Sequence, residues 1–142
     1  MMRNSGVLLH ITSLPAKFGI GDLGSFAFQF VDLLSEAHQS FWQILPLNIP
    51  SSNGNPYDSI SAFAGNQLLI SPELLVKEEL IGQDEINKLE ESKVEYTDFN
   101  KAAKKKDKIL KIAFNNFQKK GISADYKSFK NKNKYWLNDF AM

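Results

Sequence analysis

No cysteine occurs in the 142 residues, which excludes a disulfide framework and any metal site built on thiolates. Histidine is nearly as scarce. His10 and His38 are the only two, and no carboxylates cluster at ligand spacing, so neither a metal nor another cofactor is expected. No run approaches the roughly eighteen apolar residues a membrane span requires, so no membrane partner is expected. The N-terminal MMRNSGVLLHITSLP holds one arginine, and its apolar run breaks at His10 after four residues. That is too short for a signal peptide, and the cytoplasm is the expected compartment. Arginine is absent from residues 101–142, although 12 lysines stand there against only Asp107, Asp125 and Asp139. Residues 1–100 carry the opposite balance, 5 Lys and Arg against 13 Asp and Glu, so the net charge is only +1. A nucleic-acid surface would draw on Lys and Arg at phosphates with aromatics free to stack on bases. Here the aromatics fall mostly on the apolar side of a helical pattern. The lysines read as a solvated face, and nucleic acid is not an expected partner.

What is present is a composition 43% hydrophobic and 23% charged, that of a globular protein. Residues 6–12 (GVLLHIT) and 41–47 (FWQILPL) are short, nearly continuous apolar runs bounded by Pro, Gly, Ser or Asn. Continuous apolarity predicts strands covered on both faces, as in a parallel sheet. Between them SFAFQFVDLLSEAH puts Phe26, Ala27, Phe30, Val31, Leu33, Leu34 and Ala37 on one helical face, with Ser25 as N-cap. The order strand, loop, helix, strand predicts a βαβ unit with a right-handed crossover. Residues 48–67 form a long loop rich in Asn, Ser, Pro and Gly, a length more often functional than connective. LLIS then suggests a short strand, Pro72 opens a helical PELLVKEEL, and residues 83–91 suggest another short helix. Thr97 or Asp98 can cap a long helix to about Lys119, stopped by Gly121. Its apolar face carries Phe99, Ala102, Ile109, Ala113, Phe114 and Phe117, and its polar face carries Lys101, Lys104, Lys105, Lys108 and Lys111. Lys106 and Ile112 break this pattern. Two short helical pieces follow, the second being YWLNDFAM.

The stretch FGIGDLGSF spells G-x-G-x-x-G at Gly19, Gly21 and Gly24, between a strand-like and a helix-like segment. A dinucleotide turn needs its first glycine at the strand end and an acid closing the second strand. Here SLPAKF intervenes before Gly19, and no Asp or Glu occurs between Ala37 and Tyr57. The glycines therefore shape a βα loop, and Asp22 in the D-L-G-S turn is expected to bind backbone amides.

Four linked motifs stand in order over residues 5–70: GVLLHITSLP, GIGDLG, WQILPL and PYDSISAFAGN. In combination they resemble the N-terminus of bacterial 4-α-glucanotransferases, the amylomaltase or disproportionating-enzyme family, glycoside hydrolase family 77. WLNDFAM resembles the family's W-L-x-D-Y-A-L more loosely. The resemblance implies an α/β fold, a partial (β/α)8 TIM barrel holding the first two parallel strands and first helix, plus a mostly helical insertion. Residues 1–70 would be the barrel units and residues 71–142 the inserted subdomain, truncated at its end. The implied reaction transfers α-1,4-glucan segments between maltooligosaccharides with retention of configuration. Retention uses two carboxylates about 5–5.5 Å apart, in a double displacement. In the family these come from later strands, so no catalytic residue is expected in this chain. The rest of the barrel is the expected partner, and the chain alone should be inactive. The alternative is a stand-alone glucan-binding or regulatory module without catalysis.

Barrel sites are built at the carboxyl ends of the strands, which here points to the loops after residues 12 and 47. Tyr57 matches the tyrosine of the family's P-Y motif, offering a sugar an apolar ring face and a hydroxyl. Asn55, Asp58 and Ser59 are the accompanying candidates for sugar hydroxyls, although Ser59, Ser61 and Asn66 also suit loop backbone groups. Phe63 is expected to pack beneath the loop, Trp42 within the barrel, and His10 as a hydrogen-bonded core histidine.

Overall fold

The structure, a computed structural model, describes residues 3–51, 54–90 and 96–142. Strands β1 (Gly6–Leu8) and β2 (Phe41–Gln43) pair in parallel, with Gly6 opposite Phe41, Val7 opposite Trp42 and Leu8 opposite Gln43. Helix α1 (Ser25–Glu36) connects them, completing the expected strand–helix–strand order. Ser40 N–H donating to the Ser5 carbonyl (2.8 Å) and Leu9 N–H to that of Gln43 (3.1 Å) extend the ladder at each end.

Both strands are shorter than the apolar runs that suggested them. Beyond Leu9 the chain tightens into a single 3₁₀ turn, Ile11–Ser13. Beyond Gln43 the Leu45 N–H turns to the His10 ring, and Pro46 has no N–H to offer. Nor are the strands covered on both faces as continuous apolarity predicted. Val7, Leu8 and Phe41 are exposed, the last by 60%. One face receives α1, where Phe30 meets Trp42 edge-on at 5.0 Å. Trp42 is half-buried, and its Nε1–H donates to the Leu9 carbonyl at 2.7 Å. On α1 itself Ala27 and Leu34 are buried, whereas Val31 and Leu33 of the predicted apolar face are open to solvent.

The helix begins one residue earlier than expected. Gly24 rather than Ser25 is its N-cap, and a side chain there would be crowded, since a Cβ at residue 24 would stand 2.7 Å from Asp22 Oδ1 and 3.0 Å from Ser71 Cβ. Ser25 becomes the first helical residue, and its hydroxyl donates to Glu73 at 2.5 Å.

LLIS is not a strand. Asn66 Oδ1 accepts from Leu68 N–H (2.9 Å) and bends residues Gln67–Leu69 into a second 3₁₀ turn. Ser71 caps α2 (Pro72–Lys77), with proline in its first turn where a missing N–H costs nothing. In α3 (Gln83–Asn87) the Glu85 carboxylate accepts from Gly82 N–H; residue 91, where this helix was expected to end, lies outside the described residues. Helix α4 (Phe99–Lys120) is capped by Asp98, which accepts from Lys101 N–H at 3.0 Å, and stops at Gly121 with φ 88°. The two predicted C-terminal pieces are one helix, α5 (Ala124–Phe140): no Gly or Pro interrupts it, and Ser123 caps it.

Among the described residues, three small cores hold these pieces together. Ile11, Leu14, Ala27 and Leu69 form one; Phe18, Ile81, Ile86 and Ile109 a second; Ile20, Leu68 and Ala102 a third. In the second and third, α4 packs against the loop that follows β1. Phe114, predicted for the apolar face of α4, is exposed.

Candidate functional site

The loops after β1 and β2 meet. Leu23 N–H donates to the Leu69 carbonyl at 3.0 Å, and Gly21 N–H to that of Thr12 at 3.2 Å. A Cβ on Gly21 would lie 2.9 Å from both the backbone nitrogen and oxygen of Leu14. The glycines thus let the first loop fold back upon its own 3₁₀ turn and against the second loop.

Asp22 accepts the Gly24 N–H, as its turn suggested. It also takes an ion pair that sequence reasoning missed: Lys106 Nζ stands 2.6 Å from Asp22 Oδ2 and 2.7 Å from the Ile70 carbonyl oxygen. The Lys106 side chain is 1% exposed and that of Asp22 14%. Burial pushes the Asp22 carboxyl above its usual range and the Lys106 ammonium below its own, and the attraction between them opposes both shifts. The signal was present in the sequence, because Lys106 is the lysine that departs from the solvated stripe. Beside this pair, Glu73 binds Ser25 Oγ and Lys17, the latter at 3.1 Å. Burial alone would raise the Glu73 pKa, but these two partners outweigh it and hold it below the usual value.

The second loop is built as an irregular antiparallel arch, with bridges Asn48 to Gly65 and Pro50 to Ser59. Residues 52 and 53 lie outside the described residues. The four sequence-predicted site residues share one turn of this arch. Asn55 Oδ1 accepts from Tyr57 N–H at 3.0 Å, and its carbonyl from Asp58 N–H at 3.1 Å. Asp58 accepts the Ser51 hydroxyl at 2.5 Å, and its carbonyl accepts Ser51 N–H at 2.7 Å. Ser59 Oγ lies 2.8 Å from the carbonyls of Ile49 and Ser61. Asn55, Asp58 and Ser59 therefore hold the turn, while Tyr57 stands 73% exposed upon it. Ser61 Oγ accepts from Ala64 N–H, in keeping with its expected backbone role. Phe63 does not pack beneath the loop. It is 60% exposed and stacks on Trp136 of α5 (6.1 Å, 20°), with Tyr135 edge-on.

A cavity of about 160 Å³ opens between the two loops, lined among others by His10, Thr12, Asn48, Pro56, Asn66 and Phe99. His10 Nδ1 accepts from Leu45 N–H at 3.3 Å, and partial burial pushes its pKa down. The neutral ring with its proton on Nε2 is thereby favoured. Asn66 and Phe99 also line a second cavity, of about 190 Å³. Among the described residues no group of three or more His, Asp or Glu could hold a metal, and no helix is long and apolar enough to cross a membrane. The arrangement offers an exposed aromatic ring, amides and hydroxyls around a concave wall. No Asp or Glu is among the described residues that line this wall.

Residues 9–142 match the family described as 4-alpha-glucanotransferase. The chain belongs to that family. It is 41% identical over 143 residues to the 4-alpha-glucanotransferase of Aquifex aeolicus, covering 99% of this chain and 28% of the relative. It is 39% identical to the enzyme of the same name from Streptococcus pneumoniae, covering 98% and 28%. Its fold matches amylomaltase from Streptococcus agalactiae in complex with acarbose, with a TM-score of 0.87, 41% identity and coverage of 99% of this chain and 28% of that one. The chain thus spans about 28% of the length of these relatives.

Proposed function

We propose that this chain is the N-terminal portion of a cytoplasmic 4-α-glucanotransferase that transfers α-1,4-glucan segments between maltooligosaccharides. Residues 1–70 form the first two βα units of its (β/α)8 barrel, and residues 71–142 belong to a helical insertion. The observation that carries this reading is the family match across residues 9–142, in a chain whose two loops line one concave wall, with the exposed Tyr57 next in sequence to Pro56 of that lining. The loops after β1 and β2 then form one side of a glucan cleft. Tyr57 lays its ring on a sugar and hydrogen-bonds through its hydroxyl. Asn55, Asp58 and Ser59 fix the turn that presents it and offer further polar groups to sugar hydroxyls. The nucleophile and the acid/base required for retention come from the remainder of the barrel.

The experiment is a split-enzyme assay. The purified chain alone is expected to release no glucose from maltotriose. Co-expressed with the part of the Streptococcus agalactiae amylomaltase that it does not cover, it is expected to restore disproportionation. Turnover by the chain alone would refute the assignment of the carboxylates elsewhere. A soluble mixture without turnover would refute the assignment of this chain to the barrel.

A further inference from the structure

One lysine reaches both loops of the candidate site from outside either of them. Lys106 lies in the second full turn of α4, and its nitrogen binds Asp22 of the loop after β1 and the carbonyl of Ile70, immediately beyond the loop after β2. Around it the contacts run in a closed path. Asp22 accepts the N–H of Gly24, where a Cβ would stand 3.0 Å from Ser71 Cβ, and Leu23 N–H binds the Leu69 carbonyl. The turn at Gln67–Leu69 is bent by Asn66, whose own N–H closes the base of the arch on the Leu47 carbonyl at 2.8 Å. One turn or more before Lys106, Ala102 packs on Ile20 and Leu68, and Phe99 adds its ring to that contact. Phe99 also lies directly under the arch: a Cβ at Gly54 would stand 3.2 Å from its ring. The same phenylalanine lines both cavities.

From this geometry we propose that Lys106 is a positioning residue that clamps the two site loops to one another and seats α4 so that Phe99 props the arch bearing Tyr57. An exposed lysine would gain little from such a pair. A buried one left without Asp22 is strongly unfavourable, so the two loops and the helix are held in register together or not at all. The proposal rests on the reading of this arch as the glucan-facing loop. Its test measures loop geometry without any glucan, so its failure is separate from a failure of that reading.

The chain has no cysteine, so a single introduced thiol reports unambiguously. Ala64, 4% exposed within the arch, is replaced by cysteine as the loop probe, and Leu34, 8% exposed in α1, as the control. Labelling rates with a small thiol reagent are compared with and without Lys106→Met. The expected result is at least a tenfold faster reaction at Ala64→Cys with less than a twofold change at Leu34→Cys. An equal rise at both probes would reduce Lys106 to a general stabiliser and overturn the proposal, as would no rise at Ala64→Cys. Should Lys106→Met label at the unfolded rate throughout, Asp22→Asn is judged by the same two ratios, since its amide preserves the shape of the pair.

Discussion

The Asp22–Lys106 pair allows a prediction in which the two partners are not equivalent. Removing the carboxylate in Asp22→Ala leaves an ammonium at 1% exposure with the Ile70 carbonyl as its remaining partner of the two. Breaking a buried pair in this way costs about 3–5 kcal/mol. The lysine itself sets the ceiling, because it can shed its proton. Holding a group of ordinary pKa 10.5 neutral at pH 7 costs about 5 kcal/mol, at roughly 1.4 kcal/mol per pH unit. Lys106→Met is gentler. It retains most of the buried stem, and the carboxylate it abandons is 14% exposed and keeps the Gly24 N–H. Its expected cost is about 1–3 kcal/mol. The double variant should cost less than the two single losses added together, since the second substitution removes the charge orphaned by the first. The assay is urea unfolding of the chain followed by far-UV circular dichroism, compared at constant m-value. A pH series supplies the sign. Burial depresses the folded-state pKa of Lys106, and without Asp22 only the weaker attraction of Glu73 opposes this. Between that depressed value and 10.5 the unfolded chain binds more protons than the folded one, so the stability of Asp22→Ala rises with pH in that window. Lys106→Met has no such group and should show no such recovery. If Asp22→Ala costs no more than Lys106→Met, or gains nothing between pH 7 and 10, the uncompensated ammonium is not the dominant cost and the reasoning fails.

Three further outcomes follow from individual positions. Gly21→Ala would drive a Cβ into the Leu14 backbone, which cannot swing aside as a side chain could, and should cost about 2–3 kcal/mol in the same unfolding assay. Tyr57→Ala should leave stability within about 0.5 kcal/mol, because the ring is 73% exposed. In the reconstituted enzyme it should raise the KM for maltotriose by roughly two- to tenfold, the worth of a lost aromatic contact of about 0.5–1.5 kcal/mol; an unchanged KM would remove Tyr57 from the site. The open strand pair should make the isolated chain self-associate as its concentration rises, seen by size-exclusion chromatography, and Phe41→Lys should suppress this by charging an exposed strand position.

The βαβ order was legible because it rests on local patterns: two apolar runs and an amphipathic segment of helical period between them. Strand length was not, because pairing is a property of two segments at once. Residues 9–12 and 44–47 are as apolar as their neighbours, but the Leu45 N–H goes to His10 and Pro46 has no N–H to give. LLIS misled for a related reason. Its apolarity fits a strand or a buried turn equally, and the decision belongs to the Asn66 side chain that caps Leu68. The single helix of α5 was obscured by its mixed composition, since lysines and asparagines interleave with aromatics and blur the periodicity.

The site divides along the same line. Tyr57 was singled out by the P-Y motif of the resemblance, and the turn that carries it is local, Asn55 Oδ1 accepting from Tyr57 N–H within two residues. The clamp behind it could not be found in this way, because Asp22 and Lys106 are 84 residues apart and each has an ordinary local explanation. Asp22 fits a helix-capping turn and Lys106 one more member of a lysine-rich helix. Only their departures were visible: a lysine out of phase with its stripe, on a helix whose other buried positions are Ala102, Ile109 and Ala113. A charged residue on the apolar arc of an otherwise regular helix asks for a buried counter-charge, and the first place to seek one is a short acidic turn beside a loop of glycines. On that argument α4 is more than an appendage to the strand pair, since it supplies the charge that pairs with Asp22 in the loop after β1.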